Sequence, residues 1–100
     1  MAEHIITLWD AHRQAPLPDV PVQSKGELWV LDEVIGGCVA HYLDQGRTLD
    51  AARVVILEDC RADLERLLPM LDETAAEYFG RLGILAALVL EGLATGGGAH

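Results

Sequence analysis

The stretch SKGELWVLDEVIGGCVAHYLDQG, residues 24–46, decides the fold, because its apolar side chains recur with the period of an α-helix. Placed at 100° per residue, they fill one continuous arc. The arc consists of Leu28, Val30, Leu31, Val34, Ile35, Cys38, Val39, Tyr42 and Leu43. It covers more than half of the circumference, which is wider than a surface helix needs. We therefore expect a central helix that contacts neighbours on two sides.

Local signals mark both ends of this helix. Ser24 stands three residues before Glu27, which is the spacing of a capping box, and Gly46 supplies a stop. The adjacent Gly36 and Gly37 weaken a helix interior by about 1 kcal/mol each relative to alanine. They indicate a kink, a close approach of another segment, or glycines that a well-buried helix tolerates.

Two further helices follow. Asp50 can cap a helix that runs to about Leu68, where Pro69 interrupts it. Asp72 can cap a final helix that continues to about Leu93. The sequence thus predicts three long helices joined by short connections.

The N-terminal segment 3–13 is shorter and has two interpretations. As a helix it places one set of side chains on a single face, namely Ile5, Leu8, Trp9 and His12. Its β-branched start leaves a strand as the alternative. A connector with Pro16, Pro18 and Pro21 follows, and these prolines favour extended backbone.

The predicted fold is all-α, a small helical bundle of three long helices plus the short N-terminal helix. The N-terminal element and its proline-rich connector occupy residues 1–23, and the bundle occupies 24–94. Residues 95–100, TGGGAH, form a predicted flexible tail.

Composition narrows the class of function. The chain has 100 residues with 16 acidic and 7 basic side chains, a formal charge of −9. That charge repels a phosphate backbone, so the sequence predicts no nucleic-acid binding. The apolar run 82–90 is too short to span a bilayer, which predicts no membrane partner. The basic residues are mostly arginine, as in GC-rich bacteria, and the acidic start does not resemble an export signal, so we expect a cytoplasmic protein with reduced thiols.

Three polar side chains are candidates for buried roles. Asp32 and His41 lie at opposite borders of the apolar arc, so they cannot form an acid–base pair within one helix. Arg53 points toward the apolar face of the third helix and is a candidate partner for Asp32. The alternatives are surface positions for Asp32 and Arg53 and a half-exposed, structural His41.

The sequence offers little support for catalysis or for a cofactor. Cys38 and His41 share one helical face, and Cys60 could approach them, which is a weak pattern for a metal site. Both cysteines are expected in the core, where a thiol is a poor nucleophile. The glycines form neither a P-loop nor a dinucleotide-binding fingerprint. No cofactor and no enzymatic activity are predicted.

The final helix carries the best signal for association. Between Leu82 and Leu90 it is apolar on all sides, and a small bundle cannot easily enclose such a helix. The candidate interface on its outer side consists of Gly80, Gly83, Ile84, Ala87 and Leu88. The alternative is that the N-terminal segment folds back over this helix.

These observations favour a small acidic protein that acts through protein–protein contact, as a homodimer. A more specific version is an immunity- or inhibitor-type protein that binds a basic protein partner. The alternative from another class is a small-molecule- or metal-binding helical protein with a site near Cys38, His41 and Tyr42.

Overall fold

The computed structural model describes the backbone of residues 2–98 and the side chains of residues 4–94. Its secondary structure consists of α1 (Ala2–Gln14), α2 (Val22–Asp44), α3 (Ala51–Leu67), a 3-10 turn (Leu68–Met70) and α4 (Glu73–Gly98). The predicted all-α bundle with a short N-terminal helix is confirmed, and the strand alternative for the N-terminal segment is wrong.

The start of α2 differs from the prediction. The helix begins at Val22, directly after Pro21, and no side chain caps it. Ser24 already lies in the first turn, where its N–H donates to the Pro21 carbonyl at 3.0 Å, and the residue is buried. The capping box of Ser24 and Glu27 is therefore wrong. Pro21 has a fixed φ and no N–H, so the helix can begin immediately after it.

The end of α2 is confirmed at the glycine. Gly46 has a φ of 67° and Arg47 a φ of 64°, so both residues are left-handed. The Arg47 N–H donates to the Tyr42 carbonyl at 2.7 Å, and the Gln45 N–H donates to the His41 carbonyl at 2.9 Å. The bond from Arg47 to Tyr42 has the spacing of a Schellman motif, which satisfies a carbonyl at the end of the helix.

The starts of α3 and α4 follow from aspartate caps. An Oδ1 atom of Asp50 accepts from the Arg53 N–H at 2.8 Å, and that of Asp72 accepts from the Ala75 N–H at 2.9 Å. Both predicted caps are confirmed. Pro69 lies in the 3-10 turn that ends α3, while α4 continues past the predicted Leu93. The backbone of 95–98 belongs to α4, and residues 99 and 100 lie outside the described part, so the flexibility of the tail stays a prediction.

The core lies where α2, α3 and α4 meet. Each of these helices packs against the other two, as expected for α2, and α1 packs against α4. The buried residues include Ile5, Leu28, Ile35, Val39, Leu57, Leu64, Phe79, Leu82, Leu85 and Val89. Thus α4 has three helical neighbours, which explains why its middle is apolar around most of its circumference. As in the predicted alternative, the N-terminal segment packs against α4, but it leaves Ile84 52% exposed.

The two central glycines of α2 have different environments. A Cβ atom at Gly36 would stand 3.4 Å from the indole ring of Trp9, whereas one at Gly37 would meet nothing within 4 Å. Gly36 therefore marks a close approach of α1 to α2, and Gly37 is a glycine that the helix tolerates.

The molecule is elongated, with principal extents of 45 × 24 × 18 Å. Among the described residues, no helix combines the length and the hydropathy that a membrane-spanning segment requires.

Candidate functional site

The predicted interface residues of α4 border an open groove between α3 and α4. This α3–α4 groove has a volume of about 220 Å³. Its lining consists of Arg61, Leu64, Glu65, Leu68, Gly80, Gly83, Ile84 and Ala87. Ile84 is 52% exposed, although most of the apolar residues of α4 are buried. The structure therefore brings four of the five candidate interface residues to one surface.

Leu88 is the candidate that does not join them. It is half-buried and packs against the hydrophobic core, and it does not line the groove. Because α1 covers part of α4, the outer surface is narrower than the sequence suggested. Leu88 therefore packs partly against the chain's own core, and its place in an interface stays a prediction.

A second shallow cavity continues the groove along α3. It has a volume of about 240 Å³, and Glu58, Ala62 and Leu90 line it together with Arg61 and Glu65. The latter two also line the groove, and the Arg61 Nε lies 3.5 Å from the Glu65 Oε1. An apolar floor with a charged rim thus extends from Gly80 to Leu90.

The predicted pair of Asp32 and Arg53 does not form. Arg53 is exposed, and its guanidinium donates to the Asp50 carboxylate at 2.6 Å within α3. The N–H of Arg53 also donates to that carboxylate, and chiefly this bond lowers the pKa of Asp50. Arg53 bonds to Asp50, which is only three residues away, and not to a partner on α2. Arg53 is therefore not a buried polar residue.

Asp32 instead joins three helices. Its Oδ1 accepts from the Nε2 of His12 on α1, and its Oδ2 accepts from the Tyr78 hydroxyl on α4, both at 2.8 Å. We call these three residues the Asp32 network. The sequence placed His12 only on an apolar helical face, and its polar ring on that face was the available signal. Asp32 lies 20 positions from His12 and 46 from Tyr78, so only the tertiary packing reveals these partners.

Aromatic rings surround the network. The His12 and Tyr78 ring centroids lie 4.4 Å apart, and Trp9 stacks on His12 with its centroid at 6.2 Å. Burial raises the pKa of the Tyr78 hydroxyl above its ordinary range, and its hydrogen bond to Asp32 adds to the shift. The Nδ1 of His12 is buried and has no hydrogen-bond partner among the described residues. The network thus joins three side chains by two hydrogen bonds, but one of its polar atoms is unsatisfied.

The site near the cysteines is not assembled. Cys38 is buried as predicted, but Cys60 is only half-buried, so the expectation that both thiols are buried is wrong. Burial raises the pKa of both thiols, which disfavours the reactive thiolate. No group of three potential metal ligands exists among the described residues, so Cys38, His41 and Cys60 do not form the weak alternative metal site.

His41 and Tyr42 do not form a pocket with Cys38. His41 is half-buried, whereas Tyr42 is buried and the Arg47 guanidinium lies 6.0 Å from its ring centroid. None of the three lines the α3–α4 groove or the cavity beside it.

Comparisons with known proteins do not assign this arrangement. No protein-family model matches the chain, and neither a curated protein nor a solved structure shows significant similarity to it.

Proposed function

We propose that the protein acts through protein–protein contact and that its partner is a second copy of itself, bound at the α3–α4 groove. The observation that carries this proposal is the position of the half-exposed Ile84 beside the open groove. A twofold interface brings the same patch of two subunits together, so a protruding side chain and a depression in one patch are complementary. Ile84 of each subunit can enter the groove of the other.

Glycines deepen the groove. A Cβ atom at Gly80 would meet nothing within 4 Å, and one at Gly83 would lie 3.5 Å from a methyl group of Leu64. The space above Gly80 is therefore open to a side chain from outside. Burial of an isoleucine-sized side chain there contributes on the order of 1.5–3 kcal/mol.

The size of the patch limits the expected affinity. From Gly80 to Leu90 the floor spans ten helical steps, or about 15 Å along α4. Stable interfaces commonly bury about 1,200–2,000 Å² in total. A patch of this length lies at or below the lower end of that range, so we expect a dimer with a dissociation constant in the micromolar range.

The direct test replaces the protruding side chain with a charge. Ile84→Asp should give a folded monomer, because an aspartate cannot enter the apolar groove without losing its hydration. Val30→Asp is the matched control, since Val30 is also helical and is 60% exposed, but it lies on α2. Sedimentation velocity from about 1 to 200 μM, a range that spans micromolar dissociation constants, should show a dimer for the wild type and for the control.

A second variant distinguishes specific docking from non-specific association of apolar surfaces. Gly80→Leu fills the groove from within and makes the patch more apolar, yet it should weaken the dimer at least about tenfold, a loss near 1.4 kcal/mol. Non-specific association would strengthen instead. Circular dichroism should show that each variant remains helical.

Two results would overturn the proposal. One is a wild type that remains monomeric over the whole concentration range. The other is an Ile84→Asp variant that dimerises as well as the Val30→Asp control does.

A further inference from the structure

A larger cleft opens between α1, the residues that follow it, and α2. This N-terminal cleft has a volume of about 460 Å³, which is within the range of small-molecule sites. Trp9 and His12 of α1, Asp32 and Glu33 of α2, and Tyr78 of α4 contribute to its walls. It shares no lining residue with the α3–α4 groove.

Two carboxylates give this cleft free hydrogen-bond acceptors. Asp32 is 21% exposed, and each of its oxygens accepts one bond within the network, although a carboxylate oxygen can accept about two. Glu33 adds a second, exposed carboxylate. Such walls suit a ligand that carries several donors.

An unsatisfied nitrogen of His12 lies beside the cleft. His12 is only 5% exposed and lines the cleft, and its Nδ1 has no partner among the described residues. The Nε2 of His12 is already bonded to the Asp32 carboxylate, so Nδ1 is the ring nitrogen that remains for another partner. An unsatisfied buried polar atom is costly, so the packing around His12 beside the cleft is not optimal in this arrangement.

The aromatic wall already holds a cation. The guanidinium carbon of Arg13 lies 6.0 Å from the Trp9 ring centroid, within the distance at which a cation is attracted to an aromatic face. Arg13 is 62% exposed, and its nearest carboxylate, that of Asp10, is 3.8 Å away. A ligand cation can therefore replace this weakly held side chain over the ring.

We propose that the N-terminal cleft binds a small organic guanidinium compound, whose planar head donates to the Asp32 carboxylate and stacks on Trp9. A guanidinium presents a flat fork of donors that matches a carboxylate, and it is weakly hydrated enough to stack on an indole. Anions are disfavoured, since the walls carry two carboxylates and one guanidinium. This site does not depend on the proposed dimer.

The test uses butylguanidinium as the probe and butylurea as its neutral counterpart of similar shape. Calorimetric titration of the full chain should show millimolar binding of butylguanidinium and binding of butylurea that is at least roughly tenfold weaker. In NMR spectra, the shifts should be confined to Trp9, His12 and the residues near Gly36. The Ile84→Asp variant should bind equally well.

Variants identify the groups responsible. Glu33→Gln should weaken binding of butylguanidinium by about threefold, because an exposed charge contributes modestly. Trp9→Leu should weaken it further, since the stacking face is lost. Asp59→Asn removes an exposed carboxylate from α3 and should leave binding unchanged.

The proposal is overturned if butylurea binds as tightly as butylguanidinium, or if the NMR shifts map outside the cleft. It is also overturned if Asp59→Asn weakens binding as much as Glu33→Gln does. That result would mean that the cation responds only to the negative charge of the whole protein.

Discussion

Gly37 within α2 and Gly46 just after it show how the same residue type can have opposite effects on stability. Gly46 follows α2 with a φ of 67°, a conformation that costs a residue with a side chain about 1–2 kcal/mol. Gly37 lies within α2 and faces open space, so its missing side chain brings no packing benefit. The sequence predicts that Gly46 ends the helix and that Gly37 lies inside it, and the backbone conformation shows what each glycine contributes.

We predict that alanine substitution at these positions changes stability in opposite directions. Gly46→Ala should lower the free energy of unfolding by about 1 kcal/mol, because alanine is strained in the left-handed region. Gly37→Ala should raise it by about 0.5–1 kcal/mol, because glycine is the weaker helix former. Urea denaturation of both variants checks the signs.

Gly36→Ala is the control for the second change. Its new methyl group would lie 3.4 Å from the Trp9 ring, so the gain should be smaller than at Gly37. Equal stabilisation at positions 36, 37 and 46 would contradict this account of the three glycines.

At the scale of the helices, one carboxylate connects α1, α2 and α4. His12 and Tyr78 donate to different oxygens of Asp32, so each bond orients the carboxylate for the other. The network lies partly buried, where an unpaired polar group is costly. It therefore favours a single docking position of α1 over the many that apolar contact alone would allow.

We predict that Tyr78 makes folding stability sensitive to alkaline pH. The folded protein keeps the Tyr78 proton above the ordinary tyrosine pKa, so unfolding releases a proton once the pH exceeds about 10, and stability then falls as the pH rises. Below that pH this contribution is fully present. Tyr78→Phe should be less stable near neutrality by about 1 kcal/mol, because it lacks the hydrogen bond to Asp32.

The informative measurement is the pH dependence of urea unfolding. Between about pH 9.5 and 11, the wild type should release up to about one more proton on unfolding than Tyr78→Phe does. Tyr42→Phe serves as a comparison, since it removes another buried tyrosine. Parallel pH profiles for the wild type and Tyr78→Phe would exclude this role of Tyr78.

How far the sequence predicts these elements depends on the range of the interaction. Asp50, Asp72 and Gly46 act on backbone groups within a few residues, and all three helix boundaries were predictable. The capping box predicted for Ser24 did not form, because the helix begins directly after Pro21, three residues earlier. The partners of Asp32 were not predictable, since the sequence pattern of α2 does not show which residues of other helices pack against it.

The candidate interface was predictable only in part for the same reason. The spacing of Gly80, Gly83, Ile84 and Ala87 places them on one side of α4, and periodicity alone shows this. The partial burial of Leu88 was not predictable, because it depends on how α4 packs against the rest of the bundle. No pattern within α4 contains that information.

At the scale of the molecule, charge opposes self-association. Each chain carries a formal charge of −9, so two copies repel one another at low ionic strength. The proposed contact is apolar at its centre and has Arg61 and Glu65 at its rim. Added salt should therefore reduce the repulsion between the two chains more than it weakens ion pairs made by these two rim residues.

We predict that sodium chloride strengthens the dimer. Between about 20 and 300 mM salt, the dissociation constant of the wild type should fall about threefold, because the screening length shortens over that range. Sedimentation equilibrium at several salt concentrations measures this. Dissociation on adding salt would mean that ion pairs, and not the apolar groove, hold the subunits together.

The three prolines before α2 have a consequence for the docking of α1. A detached α1 would remain tethered by residues 15–21, and proline-rich segments are semi-rigid and extended. The tether keeps the local concentration of α1 near its binding surface in about the millimolar range, and stiffness removes many detached conformations. The prolines thus stabilise the docked helix by limiting the freedom of the detached state.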